Sequence, residues 1–493
     1  MPFGISDFHK SLKKLHVGCE EPRAYFIPHA DEDSLSLPRE QSKYFKSLCG
    51  TWDFNFYKSV HDVPDPRVSE IAYCDKLDVP SNWQYSIGRG YDVPQYTNHL
   101  YPFPMDPPYV PEENPAGLYK RSFTLDGDAL LGKDVMLNFE GVDSCFYLFV
   151  NGSFIGYSQV SHMTSEFNIT RHVKAGKNEI VVLVLKWCDG SYLEDQDMYR
   201  ASGIFREVYI LFRDRVRIND LFVRQNIAED FSSVSLALEV KTNAALDVSY
   251  ELCGEGVNLS GTANIDRNGN IKIGKIDAPH LWSDEDPYLY TLVLRAGTEI
   301  IKLLVGIRKI EIRGRVIYIN GKKVKARGVN RHDSHPVLGH ATPYDHIRRD
   351  ILICKSCNCN MIRTSHYPND PRFYEMCDEI GLYVIDEADI ECHGFGVYTY
   401  PMPLTDDEKW TAAYMDRVTR MLERDKNHAC IVIWSVGNES GAGINHKKSV
   451  EYFKERDGSR LVHVEDESRR AFNVDDMIAA GKPTEQDPAY WRS

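Results

Sequence analysis

The sequence predicts two consecutive β-sandwiches followed by an incomplete parallel α/β barrel, and three observations predict it. From residue 50 to about 308, short alternating or apolar runs are broken by turn residues, and long helical periodicity is absent up to about residue 212, the grammar of all-β sandwiches. From about residue 313, strand-like and helix-like segments alternate with short connections, as in a parallel barrel. Only four β-α units and a fifth strand fit before residue 466, whereas a closed barrel of this kind needs eight strands.

Residues 1–40 mix proline and charge with little periodicity and read as an N-terminal extension. Residues 41–214 read as a sandwich of jelly-roll type. Strand-like runs cover 51–57, 135–139, 146–150 and 179–186, and Asn151-Gly152 after the third is a strong hairpin turn. Residues 215–310 have the length of a seven-stranded, immunoglobulin-like sandwich, with strands at 233–239 and 288–295. It reads as a packing domain.

The last domain, 311–493, begins with a strand over 323–330. Thr342-Pro343 then opens a helix, with Thr342 as N-cap and Asp345 completing a capping-box-like signal. Ile347, Ile351 and Cys354 mark its buried stripe. A strand (360–364), a helix (370–380) and a strand (382–385) follow. The helix over 408–426 carries Trp410, Tyr414, Val418 and Met421 on one face. Residues 430–441 read C-I-V-I-W-S-V-G-N-E-S-G, an apolar run suited to a strand buried on both faces. A helix over 446–456 and a strand over 461–464 complete the pattern.

The net charge of −14 argues against a nucleic-acid or anionic-membrane partner. No apolar run approaches the roughly 20 residues that span a bilayer, and residues 1–14 lack the apolar core of a signal peptide. Twelve scattered cysteines suit reduced thiols in the cytoplasm. Cys354, Cys357 and Cys359 raise the question of zinc, but no second ligand pair lies at finger spacing, and core packing is the better account. Glycosylation triplets stand at Asn151, Asn168, Asn258 and Asn438. A glycan on Asn438 would block the carboxyl beside it, which again favours a protein that is not secreted.

Polar clusters fall after successive barrel strands: Asn330-Arg-His-Asp333, Ser365-His-Tyr367, Asp386-Glu387 with Glu391-Cys-His393, and Asn438-Glu439. Each alone is explained by caps or surface ion pairs. Four at the end where barrel chemistry is built are harder to dismiss. Carboxylates and histidines together suit glycoside cleavage, in which one carboxyl protonates the leaving oxygen. Glu391 and His393 beside Glu439 could hold a divalent cation of the magnesium or manganese kind, although E-x-H spacing alone is a weak signal.

Trp434-Ser-Val-Gly-Asn-Glu-Ser-Gly441, Gly328-Val-Asn-Arg-His-Asp333, Ser365-His-Tyr-Pro-Asn369 and Asp386-Glu-Ala-Asp-Ile-Glu-Cys-His-Gly394 together resemble segments of the large β-galactosidases of glycoside hydrolase family 2. Pro80-Ser-Asn-Trp-Gln84, Tyr96-Thr-Asn98 and Asp189-Gly-Ser-Tyr-Leu-Glu-Asp-Gln-Asp197 are similar to that family's sugar-binding domain. The resemblance implies a retaining hydrolase of terminal β-D-galactosides such as lactose. It implies Glu439 as acid/base and His332 and His366 as stabilisers of the transition state. It implies Asn98 and Asp197 as sugar contacts, Glu391, His393 and Glu439 as Mg2+ ligands, and Asp197 as a Na+ ligand. Full-length members of the family are homo-oligomers. Tyr199 and Ala201 depart from the Trp and Met usual in bacterial relatives. The resemblance also implies a second carboxylate, a nucleophile about 5 Å from the first, in a later strand than any read here. The expectation is an N-terminal part of such an enzyme, inactive or nearly so alone. The rival expectations are a non-catalytic galactoside-binding or assembly protein, and a β-glucuronidase or β-mannosidase of the same family.

Overall fold

The computed structural model describes residues 6–466 apart from Ser69, Ile87 and 398–402. The first sandwich packs a six-stranded sheet, with strands in the order Asp75–Val79, Gly50–Tyr57, Ala116–Leu125, Gly176–Leu185, Cys145–Val150 and Ser153–Gln159, on a four-stranded one. Its core is rich in large rings, among them Trp52, Phe54, Trp83 and Tyr119, all wholly buried. Asn151 and Gly152 form the hairpin turn with φ of 47° and 76°, the two left-handed positions that a tight hairpin requires.

The N-terminal segment does more than extend. The strand Cys145–Val150 is buried on both faces, because Phe8 and Val17 of this segment cover its outer side. Val17 pairs with Tyr157 and His29 with Ile300 of the second sandwich, and the Tyr25 N–H donates to the Arg424 carbonyl in the barrel. The segment therefore laces all three domains.

The second sandwich has seven strands, in sheets of three and four. Its strand Ile218–Ile227 carries Asp220, which accepts from the Ala24 N–H at 2.9 Å and from the Lys426 Nζ at 2.7 and 2.8 Å. Lys426 is fully buried, with Glu423 as its other carboxylate partner. Removing one partner of a buried charge costs more than the pair contributes. Asp220→Ala should cost about 2–3 kcal/mol, read as a lower urea midpoint together with faster proteolysis within residues 6–40.

The third domain forms a five-stranded parallel sheet in sequential order among the described residues. Its elements are β1 (Gly328–Arg331), α1 (Tyr344–Ser356), β2 (Met361–Thr364), α2 (Pro371–Ile380), β3 (Tyr383–Glu387), α3 (His393–Val397), α4 (Thr411–Asp425), β4 (Ile431–Ser435), α5 (Ile444–Arg456) and β5 (Leu461–His463). Tyr414, Val418 and Met421 of α4, with Trp410 before it, are buried as the 3.6-residue period predicts. Asp370 caps α2 by accepting from the Arg372 N–H, Pro371 opens the helix, and Gly381 closes it at φ 82°.

Four expectations are corrected. The first strand does not run over 323–330. Lys322–Lys323 pairs with Val316–Ile319 in a separate small sheet, and the barrel strand is only Gly328–Arg331. Gly328 opens it because a Cβ there would lie 2.0 Å from the Met361 carbonyl oxygen. Thr342 does not cap α1: Pro343 occupies the cap position, and the Thr342 hydroxyl donates to the His340 carbonyl instead. The helix over 408–426 begins as a separate 3-10 turn, Glu408–Trp410. Core packing accounts for only part of the cysteine cluster: Cys354 is half-buried against the barrel core, whereas Cys357 is exposed. All twelve cysteines are free. Among the described residues no helix is long and apolar enough to cross a membrane.

Candidate active site

The polar clusters lie together at the carboxyl ends of the barrel strands. Past β4 the chain turns sharply. Gly437 has φ 141°, and a Cβ on it would sit 2.5 Å from the Ile390 carbonyl oxygen. That close approach lets the Asn438 N–H donate to the same carbonyl at 2.9 Å. Glu391 bridges Asn438 on one side and Glu194 of the first sandwich on the other. Its own N–H donates to the Leu193 carbonyl, and its carbonyl accepts from Asp195. A three-rung ladder thus fixes the loop carrying Asp195 and Asp197 against the barrel mouth, and Glu391 is its middle rung.

The donor atoms of Glu391, His393 and Glu439 all lie within 4.8 Å of one another, and His393 Nδ1 is 2.9 Å from Glu439 Oε2. Glu439 holds its place with φ 35°, an uncommon backbone for a residue with a side chain. Asn438 Nδ2 donates to Glu391 Oε2 at 3.0 Å, while Glu391 Oε1 is buried without a hydrogen-bond partner. Burial holds the Glu391 carboxyl well above the usual range; the Asn438 bond pulls it down and the Glu439 and Asp195 charges push it up. An orphaned buried oxygen in a group of two carboxylates and one imidazole fits a hard divalent cation such as Mg2+.

Behind this group lies a hub that the sequence offered only as part of a cluster. Glu387 is fully buried. Its Oε1 accepts from His366 Nδ1 at 2.6 Å and Arg363 Nη2 at 3.0 Å. Its Oε2 accepts from Arg363 Nε at 2.8 Å and the Ser435 hydroxyl at 2.6 Å. Burial alone would raise its pKa, but His366, Arg363 and Ser435 outweigh that and hold it below the usual carboxylate range. Arg363 also donates to Asn438 Oδ1 at 3.0 Å. One chain of bonds therefore runs from His366 through Glu387, Arg363 and Asn438 to Glu391. Arg363 sits in the strand Met-Ile-Arg-Thr, and a charge in so short an apolar run was the available signal.

The His332 and His366 rings meet edge to face at 5.4 Å, and His332 Nδ1 lies 3.2 Å from the Tyr367 hydroxyl. Burial, with His366 adding to it, lowers the His332 pKa to about 4, against the pull of Asp333 and Asp197. The imidazole is therefore neutral at pH 7. Unfolded, it would titrate near 6.5. The mismatch destabilises the fold as pH falls from about 6.5 towards 4 and has no effect above that window. In a histidine-edited NMR titration the His332 ring should stay neutral until about pH 4; a midpoint near 6.5 would contradict this.

Asn98 and Asp197 meet at the rim, with Asn98 Nδ2 donating to Asp197 Oδ2 at 3.3 Å. Both are exposed. Sequence reasoning missed two locks between sandwich and barrel. His162 stacks on Tyr367 at 3.7 Å and bonds Asp389 at 2.9 Å. Gln196 donates to Asp389 at 2.9 Å and to the His366 carbonyl at 3.3 Å.

Comparison with known proteins follows the same three-part division. The sugar binding domain of glycosyl hydrolases family 2 matches residues 45–214, the family's central domain 216–308, and its TIM barrel domain 310–484. A beta-galactosidase of Actinobacillus pleuropneumoniae is 41% identical over 94% of the chain and 48% of its own length. One of Staphylococcus xylosus is 41% identical over 93% of the chain and 46% of its own length. The chain thus spans about half the length of the curated relatives it matches. Among solved structures, a Ruminococcus gnavus beta-glucuronidase bound to uronic isofagomine superposes with a TM-score of 0.72 at 20% identity, covering 90% of this chain and 74% of that one, a likeness of fold. Three consecutive domain matches and relatives at this identity place the chain in glycosyl hydrolase family 2.

Proposed function

We propose that this chain supplies the sugar pocket and proton donor of a retaining β-galactosidase acting on terminal β-D-galactosides such as lactose. One observation carries it: Glu439 stands at the strand mouth in one cluster with Glu391 and His393, tied by a ladder to the sandwich loop that presents Asp197. In this reading Glu439 protonates the departing oxygen and then takes a proton from the attacking water. Neutral His332 and the Glu387-held His366 hydrogen-bond the sugar hydroxyls, while Asn98 and Asp197 read the epimer from the rim. Glu391, His393 and Glu439 would hold Mg2+, which when bound would supply positive charge that orders these side chains at the strand mouth. Na+ would bind at Asp197.

Two neighbouring carboxylates, Glu387 and Glu391, are already engaged. Both Glu387 oxygens are occupied by cationic or hydroxyl donors. Glu391 belongs to the cation cluster. The family resemblance puts the second carboxylate on a later strand than those described, and the chain alone is proposed to bind galactosides without turning them over.

A glucuronide would need a cation free to meet its carboxylate. Among the described residues the arginines at this site are already committed: Arg363 to Glu387, Arg200 to Asp195, Arg206 to Asp333, and Arg331 to Asp333 and Asp350. The test is a panel of chromogenic galactosides, glucuronides and mannosides offered to a chimera that continues this chain with the carboxyl-terminal half of a curated relative. The reading expects galactoside turnover to dominate; dominant glucuronide turnover would overturn it.

A further inference from the structure

Two large aromatic side chains that this protein leaves in water meet beside the Asn98–Asp197 pair: Tyr96 and Tyr199 are 55% and 56% exposed. Gln95–Thr97 and Met198–Arg200 form a short antiparallel ladder in which Tyr96 and Tyr199 lie directly opposite each other. Cross-strand partners share a face. The two rings accordingly come together at 5.5 Å, tilted by 55°, each more than half exposed.

The ladder's other face is anchored. Arg200 is buried, and it donates to Thr97 Oγ1, the Glu194 carbonyl and Asp195 Oδ1. Gln95 accepts from Lys186. The aromatic face is thus held rigidly outward, where exposed rings of this size mark a binding surface. It is also registered to the sugar pocket. The Tyr96 hydroxyl donates to Asp197 Oδ1, and the other oxygen of that carboxylate takes Asn98. Asp197 in turn acts on the charge of His332. The platform starts where the groups assigned to galactose end.

We propose that Tyr96 and Tyr199 form the platform for the unit glycosidically attached to galactose. The ligand class is a ring with a flat, weakly polar face, such as the glucose of a disaccharide or an aryl group. Its C–H bonds or π-face would lie against the tyrosine rings, leaving the polar edge of the ligand in water. The proposal rests on the galactoside reading above, and the experiment separates the two.

Binding of methyl β-galactoside, lactose and phenyl β-galactoside to the 493-residue chain would be measured by saturation-transfer NMR and calorimetry. The platform predicts that lactose and phenyl β-galactoside bind about 3- to 10-fold tighter than methyl β-galactoside. Tyr199→Ala should erase that advantage and leave methyl β-galactoside within about twofold. Tyr199→Trp should retain the advantage. An advantage for phenyl but not lactose narrows the ligand to aryl groups and keeps the platform. Methyl β-galactoside binding with no advantage, or with an advantage that survives Tyr199→Ala, overturns the platform and leaves the galactoside reading standing. Binding of none of the three overturns both. Self-association of the wild-type chain that Tyr199→Ala abolishes would assign the face to a second copy and overturn the proposal.

Discussion

Replacing Glu391 with alanine should remove divalent-cation binding, weakening Mn2+ affinity about 100-fold or more. Glu391 is held on both backbone edges, and one of its oxygens is buried with no protein partner. The neighbouring donors come from separate places, His393 at the start of α3 and Glu439 just past β4. Without the central carboxylate they offer one imidazole and one acid, too few ligands for a hard cation. Asn438→Ala, which removes only the hydrogen bond orienting Glu391, should weaken binding about 10-fold. Electron paramagnetic resonance of free Mn2+ reads both. Unchanged affinity in Glu391→Ala would move the cation elsewhere.

Glu387→Ala should lower unfolding free energy by about 3–5 kcal/mol, the largest stability effect expected of any change at this site. The substitution leaves Arg363, which is 15% exposed, facing a buried cavity without its anion. It also removes the acceptor of His366 Nδ1 and of the Ser435 hydroxyl. Arg363 would then have only Asn438 among the partners described above, so the damage should spread towards Glu391. Denaturant titration gives the magnitude. A loss under about 1 kcal/mol would show the hub to be loosely coupled to the fold.

The sequence carried the layer order and most of the barrel strands because their signals are local. Hairpin chemistry at Asn151-Gly152, the α4 stripe and the apolar run into Ser435 each act within a few residues. The four polar clusters were legible because a barrel presents the carboxyl ends of its strands at one mouth. What stayed hidden depends on contacts between distant segments. The Asp220–Lys426 staple joins residues 206 positions apart, and the Glu194–Glu391–Asn438 ladder joins two domains. The N-terminal segment looked loose because its burial comes wholly from surfaces built later in the chain. Glu387 was legible as an acid at a strand end. Its role as a shared acceptor was not, since Arg363, His366 and Ser435 come from two strands and a loop that meet only in the folded sheet.

The central claim is that Glu439 donates the proton to the leaving oxygen and later deprotonates the attacking water. The direct measurement is Glu439→Gln in the chimera completed by a relative's carboxyl-terminal half, with and without azide. The unsubstituted chimera must first hydrolyse lactose. The substitution should then cut lactose turnover about 100- to 10,000-fold. Dinitrophenyl β-galactoside, whose leaving group needs no acid, should still load the enzyme, and azide, which needs no base, should restore its turnover and yield β-galactosyl azide. Lactose turnover near that of the unsubstituted chimera, or a deficit that azide does not relieve, would contradict the assignment of Glu439.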